Sequence, residues 1–180
     1  MDTENLALLA DHLQKRNQID AEIGEIIGRP MTAGHLGEWI ASEVFGLERN
    51  KAANTKAIDG IFLTGALAGK TVNVKWYLKR EGILDMSPSD DLDYYLVLTG
   101  PIASAGSSVL GTRPWRIDAV YLIDAKALHL DLLDRGRRVG VASSVRNAVW
   151  DSAEIFPRDN PALPLAADQR AALEKFAFEH

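Results

Sequence analysis

Apolar residues recur at intervals of three and four through residues 1–28, a spacing that places them along one side of a helix. They are Leu6, Leu9, Leu13, Ile19, Ile23 and Ile26. Arg29 and Pro30 interrupt the pattern, which predicts that the helix ends before them. Thr32 is expected to cap a second helix that reaches about Leu47, because its hydroxyl can accept a hydrogen bond from a free amide of the first turn.

Apolar segments in the rest of the chain are typical of strands. They predict strands over residues 57–63, 70–77, 94–99, 115–123 and 138–142, the first two joined by the turn TGALAG. Asp124 is expected to cap a helix that ends near Gly136, and a terminal helix is expected over residues 166–178. This order predicts an α/β fold with a mixed central sheet of about five strands flanked by helices.

The length of 180 residues is that of one domain. We expect a single domain over residues 1–180, with an N-terminal helical segment (1–30), a core (31–150) and a C-terminal tail and helix (151–180). Hydrophobic residues are 47% and charged residues 25%, as in soluble globular proteins. No apolar run approaches the roughly 18 residues of a membrane span, so we expect a cytoplasmic protein without a membrane partner.

Several kinds of chemistry are excluded by residue content and spacing. The chain has no cysteine, and its four histidines do not have the spacing of a zinc site. A GxSxG motif is also absent from the sequence. The segment TGALAGKT resembles a P-loop, but three residues instead of four separate its glycines, and a strand follows where a helix is needed.

The net charge of −5 argues against a protein that coats nucleic acid uniformly. The charge is, however, unevenly distributed along the chain. Acidic residues dominate segments 1–28 and 81–95, whereas segments 70–80 and 135–146 are basic. A local phosphate-binding cleft is therefore compatible with the net charge.

One group of polar residues falls on the strands predicted over 57–63 and 70–77. Side chains alternate across a strand, so Asn73 and Lys75 project to the same side. Asp59 is the charged residue in an otherwise apolar strand, where an unpaired carboxylate is costly. We expect the two strands to bring Asp59 close to Asn73 and Lys75.

These residues resemble the pattern of the PD-(D/E)xK, or restriction-endonuclease-like, nuclease superfamily. In that pattern a helix carries a Glu, a strand carries an Asp, and the next strand carries an acid, any residue and a Lys. The matching segments are GHLGEWIASEVFGLE, AIDGIF and VNVKWY, within residues 34–77. More loosely, GHLGEWIA, GKTVNVKWYLKREG, YYLVLTGP and GVASSVR look like the endonuclease-like domains of uncharacterised bacterial proteins. The resemblance implies a restriction-endonuclease-like core.

The resemblance also implies a metal-dependent hydrolase that cleaves phosphodiester bonds in DNA, in restriction or repair. Asp59, Glu38 and Asn73 would hold Mg²⁺ or Mn²⁺, and the four catalytic residues would be these three and Lys75. Lys75 would orient the attacking water or stabilise charge on the phosphate. Asn73 stands where the superfamily has an acid, and Ile58 where it commonly has Pro.

The choice of glutamate is open. On a helical wheel, the apolar face is defined by Leu36, Ile40, Val44 and Leu47. Glu43 falls near that face and Glu38 nearly opposite, so the wheel favours Glu43 as the inward carboxylate and the alternative metal ligand. The resemblance favours Glu38, which we prefer.

DNA is the expected partner, and a homodimer is also compatible with the sequence. Five basic residues are expected to contact the nucleic acid: Lys79, Arg80, Arg113, Arg116 and Arg146.

Three other interpretations remain open. Asp59 and Lys75 can form a purely structural cross-strand ion pair, worth less than about 1 kcal/mol when exposed. The chain can be a non-catalytic member of the same fold that binds nucleic acid or a protein partner. It can also be a small-molecule enzyme that uses Asp59, Lys75 and a glutamate as acid and base.

Overall fold

A computed structural model describes residues 3–50, 57–87, 89–102 and 113–178 of the chain. The helices in these ranges are α1 (Thr3–Ile27), α2 (Ala33–Phe45), α3 (Ala125–Asp134), α4 (Asn147–Ala153) and α5 (Ala167–Glu174). The strands are β1 (Leu47–Arg49), β2 (Gly60–Phe62), β3 (Thr71–Tyr77), β4 (Ile83–Leu84), β5 (Tyr94–Thr99), β6 (Ala119–Asp124), β7 (Ser143–Ser144) and β8 (Glu154–Phe156).

The main sheet of the described chain has six strands in the order β1–β2–β3–β5–β6–β8. Strands β3 and β5 are parallel, and the other neighbours are antiparallel. Strands β4 and β7 form a separate antiparallel pair. The predicted α/β class and mixed sheet are therefore confirmed, with helices on both faces of the sheet.

Three predicted strands differ from the structure. The strand expected over 138–142 is wrong, because the chain turns there: Gly140 and Ala142 have φ values of 144° and 56°. The strand expected over 57–63 is shortened to β2, and that expected over 115–123 begins only at β6. The edge strands β1 and β8 were not predicted, since three residues are too few to show a periodic pattern.

Both predicted helix caps are confirmed. The Thr32 hydroxyl accepts a hydrogen bond from the His35 amide at 3.1 Å, and the Asp124 carboxylate accepts one from the Ala127 amide at 2.8 Å. Each satisfies a donor that the first helical turn leaves free. No helix in the described ranges is long and apolar enough to cross a membrane.

Strand β3 lies between two apolar layers. Its Val72, Val74 and Trp76 side chains pack in the cluster that contains α2 and the inner face of β5. Gly37 allows α2 to come close to β3, because a Cβ at this position would lie 3.1 Å from the Trp76 Cβ. The opposite layer is formed by α3, α4 and buried residues of β5 and β6, including Tyr95, Val97, Tyr121, Leu128 and Trp150.

The beginnings of β3 and β5 are joined by Asp93. Its carboxylate accepts hydrogen bonds from the Thr71 amide at 3.0 Å and the Thr71 hydroxyl at 3.1 Å, and from the Lys70 ammonium at 3.2 Å. Burial raises the pKa of Asp93, but the hydrogen bonds from Thr71 and Lys70 outweigh it and leave the pKa below its ordinary value. The contact holds Val72 opposite Tyr94 at the start of the parallel pair.

The backbone segments that follow β3 and β5 approach each other so closely at Gly100 that a side chain there is expected to destabilise the protein. A Cβ at Gly100 would lie 2.3 Å from the Leu78 carbonyl oxygen, so backbone atoms would have to move. We expect Gly100→Ala to lower the free energy of unfolding by about 3 kcal/mol, as measured by urea denaturation.

Gly34→Ala is the control, because the nearest atom to its new Cβ would be 4.0 Å away. It lies in a helix and is expected to gain about 0.5–1 kcal/mol. Equal effects of the two substitutions would contradict this account.

Candidate functional site

The site begins where the chain leaves the β2–β3 ladder. The Asp59 amide donates to the Val72 carbonyl at 2.9 Å, the last backbone bond of the ladder on this side. The Asp59 carboxylate Oδ2 then accepts a hydrogen bond from the Val74 amide at 2.7 Å. Strand β2 begins only at Gly60, opposite Val72, so it does not pair with β3 at the level of Val74. The carboxylate therefore replaces the strand carbonyl that would otherwise satisfy Val74.

Asn73 is the most buried polar residue beside this point, with 4% of its surface exposed. Its Nδ2 donates to the Ala57 carbonyl at 3.0 Å, which anchors the departing chain. Its Oδ1 is buried and has no hydrogen-bond partner among the described residues. An unsatisfied buried acceptor costs about 1–3 kcal/mol, so this oxygen is suited to a water or a cation.

Glu38 enters the site from α2. The Arg29 guanidinium donates to the Glu38 carboxylate, with 2.6 Å between Nη1 and Oε2. The Glu38 side chain is 23% exposed, and Arg29, in the connection between α1 and α2, is 42% exposed. Both groups therefore remain open to solvent on one side.

Four charged groups act on one another at this place. Burial has the largest effect on Asp59 and raises its pKa above the ordinary value of a carboxyl group, and the hydrogen bond from Val74 opposes this rise. The negative charge of Glu38 raises the pKa of Asp59 further. The positive charges of Lys75 and Arg29 lower it. Glu38, Lys75 and Arg29 thus lie within electrostatic range of Asp59.

Lys75 contributes the free cation of the group. It is partly exposed on β3, and its ammonium makes no salt bridge or hydrogen bond within the described ranges. The cross-strand ion pair with Asp59 considered above is therefore not a direct contact at 4 Å or less. Lys75 interacts with the carboxylate at longer range, which leaves the ammonium available to a ligand.

The helical wheel misjudged the two glutamates. Glu43 is exposed, while Glu38 is partly buried and acts electrostatically on Asp59. Glu38 is therefore the more inward of the two, and its role at the site stays a prediction. Arg29 was not expected at the site, and the only sequence signal for it is its position in the short connection before α2.

The five bases expected to contact nucleic acid do not form one free patch. Arg116 pairs with Asp118, and Arg146 pairs with Asp131. Arg113 lies 4.0 Å from the Glu81 carboxylate.

The other two expected bases differ in their surroundings. The Arg80 guanidinium carbon lies 5.7 Å from the ring centres of both Tyr121 and Trp150, a cation–π arrangement. Lys79 has no salt bridge or hydrogen bond to the described part of the chain. Arg29 and Lys75 are thus the cations that stand at the Asp59 site.

The oxygen donors at the site are suited to a hard cation. In the described chain, no group of three or more His, Cys, Asp or Glu residues is arranged to hold a metal ion. Glu38 acts electrostatically on Asp59, and the buried amide oxygen of Asn73, next to the Val74 amide that Asp59 accepts from, is a further neutral donor. Mg²⁺ commonly uses one or two protein carboxylates and keeps several waters, so this donor set fits it.

Comparison with known proteins adds no assignment: no protein-family model matches the chain, and a search of curated proteins finds no significant match.

The raised pKa of Asp59 predicts a gain in stability on neutralisation. Asp59→Asn retains an oxygen acceptor for the Val74 amide but removes the buried charge and its repulsion by Glu38. We expect the variant to unfold at higher urea concentration than the wild type at pH 7. Because the pKa of Asp59 is higher in the folded state than in the unfolded state, the charged carboxylate destabilises the folded wild type at pH values above the folded-state pKa. This destabilisation disappears as the pH falls to the unfolded-state pKa. The difference should therefore shrink as the pH is lowered from 7 towards 3.8.

The control for this experiment is Asp134→Asn, at the exposed end of α3. It removes the same charge outside the site and is expected to change stability little. A destabilised Asp59→Asn variant at pH 7 would show that the Asp59 charge supports the fold.

Proposed function

We propose that this chain is a metal-dependent nuclease domain with a restriction-endonuclease-like core, which hydrolyses phosphodiester bonds in DNA. The observation that carries the proposal is the Asp59 carboxylate held by the Val74 amide beside the start of β2, where Glu38 and the unpaired Lys75 both act on it electrostatically. Structural ion pairs are normally arranged to satisfy their charges. Here two carboxylates repel one another beside a lysine that makes no direct contact in the described chain, an arrangement suited to a ligand.

Asp59, Glu38 and the Asn73 amide oxygen would bind the Mg²⁺ or Mn²⁺ ion. Such an ion neutralises phosphate charge and lowers the pKa of a bound water. The Val74 amide fixes one oxygen of Asp59, so the orientation of the carboxylate is set before any ligand arrives. Asn73 is held equally firmly, by its bond to the Ala57 carbonyl.

The two basic residues of the site have different roles in this proposal. Lys75 holds a positive charge near Asp59, where it orients a water or stabilises negative charge that develops on the phosphate. Arg29 keeps Glu38 in place through its hydrogen bond and offsets part of its charge. Arg29 is therefore a positioning residue for Glu38.

A second candidate function is supported by Asn73. An amide at the position of the superfamily acid supplies an oxygen but no charge, which weakens the attraction for a cation. This favours a non-catalytic member of the fold, in which Lys75 and Arg29 bind phosphate without cleaving it. The two candidates differ in whether a divalent ion is required.

The test is cleavage of supercoiled plasmid DNA by the purified chain with Mg²⁺ or Mn²⁺. We expect nicked or linear products, their loss in EDTA, and recovery when the metal is restored. Lys75→Ala and Asp59→Asn should each reduce the cleavage rate by at least about a hundredfold. Circular dichroism of both variants should match that of the wild type, which separates a loss of chemistry from a loss of fold.

Lys126→Ala is the matched control, because this lysine is exposed on α3, outside the site. It should leave the cleavage rate unchanged. Metal-independent DNA binding without cleavage would support the second candidate. Cleavage that survives Lys75→Ala and Asp59→Asn would exclude this site as its source.

A further inference from the structure

The first half of α1 extends away from the body of the molecule. Every residue from 4 to 19 is exposed, and the first strongly buried residue of the helix is Ile27. At 1.5 Å per residue the whole helix is about 38 Å long. An isolated helix of this kind is marginal in water, because most helical stability comes from packing of an apolar face.

The exposed part carries an apolar stripe. Leu6, Leu9 and Leu13 are 52%, 54% and 49% exposed, and Ile19 and Ile26 are 55% and 68% exposed. Spacings of three and four place the leucines in one row and the isoleucines in a second row, which lies about 100° around the helix from the first. A contiguous exposed apolar surface of this kind indicates an interface.

A groove lies beside the second half of the same helix. It has a volume of about 720 Å³. From α1 it is lined by Ile19, Ile23 and Ile26 together with four polar or charged residues between 12 and 20, and from the body by apolar and aromatic residues that include Trp39, Trp76, Trp115 and Phe176. Trp76 and Trp115 meet edge to face, with 5.5 Å between their ring centres. Leu6, Leu9 and Leu13 do not line this groove, so the helix offers an apolar ridge at one end and an apolar groove at the other.

Six of the eight Leu and Ile positions of α1 are symmetric about Arg16. Leu13 and Ile19 lie three residues on either side of it, Leu9 and Ile23 lie seven, and Leu6 and Ile26 lie ten. Two antiparallel copies of α1 centred on this residue would therefore place each leucine opposite an isoleucine of the other copy.

We propose that two copies of this chain dimerise through antiparallel α1 helices, each placing its leucine row (Leu6, Leu9 and Leu13) in the groove of the other. A two-fold axis at Arg16 makes both contacts identical, which is the usual geometry of a homodimer. Each copy covers the ridge and the groove of the other at once. The interface is separate from the Asp59 site and does not depend on its function.

The charges of α1 favour the antiparallel arrangement. Asp20 faces His12 of the second copy, whereas a parallel pair would place Asp20 opposite Asp20. The Arg16 side chains of the two chains face each other at the two-fold axis. Within each helix, Arg16 pairs with Asp20 at 3.5 Å. The Asp20 carboxylates of the two chains therefore lie one turn from both arginines and offset their repulsion.

The first test is the mass in solution by sedimentation equilibrium. The wild type is expected at twice the chain mass of 19.7 kDa. The double variant Leu9→Glu, Leu13→Glu is expected at 19.7 kDa, because it buries two charges in the apolar groove. The matched control is Ala7→Glu, Gln14→Glu, which adds the same charge on the opposite, exposed face of α1 and should remain dimeric.

A wild type of single-chain mass would overturn the proposal. A dimer that resists Leu9→Glu, Leu13→Glu, or that both double variants disrupt equally, would also overturn it. Far-UV circular dichroism and the thermal transition of the body show whether each variant is folded.

The second test uses the absence of cysteine from the natural chain. A mixture of Leu13→Cys and Ile19→Cys chains should give disulfide-linked dimers that contain one of each on oxidation. A mixture of Leu13→Cys with Gln18→Cys, which lies on the polar face, should not. Predominant crosslinking of Leu13→Cys chains to one another would indicate a parallel pair and would contradict the antiparallel geometry.

Discussion

The hydrogen bond between the Val74 amide and the Asp59 carboxylate satisfies a strand amide of the sheet and fixes a carboxylate of the candidate site at the same time. A buried amide in an inner strand needs an acceptor, and β2 does not supply one at this level because it begins at Gly60, opposite Val72. The side chain of Asp59 provides it, so the Val74 amide is satisfied where β2 no longer pairs with β3. Asn73 completes the arrangement, because its bond to the Ala57 carbonyl fixes the segment that leaves.

The second carboxylate reaches this space because α2 lies close to β3. Gly37 contacts Trp76 without an intervening side chain, and the next residue along the helix is Glu38. Arg29 holds Glu38 from the connection that follows α1. The connection between α1 and α2 thus contributes directly to the position of a site carboxylate.

Features determined by local chemistry could be predicted from the sequence. The caps at Thr32 and Asp124 need only a side chain and the next helical turn, and the strand with Asn73 and Lys75 needs only alternation. Features determined by tertiary contacts could not. Strands β1 and β8 are too short to show a pattern, and alternating residues near Gly140 form a turn. The partial burial of Glu38 depends on Arg29, which no residue spacing indicates.

The pairing of surface arginines has a consequence for the electric field around the molecule. Arg113, Arg116 and Arg146 are each matched by a nearby acid, so they add little to the potential at a distance, and the net charge of −5 dominates there. At physiological ionic strength this field decays over about 8 Å. A polyanion would therefore be repelled weakly during its approach, and any attraction would arise at contact range from Lys75 and Arg29.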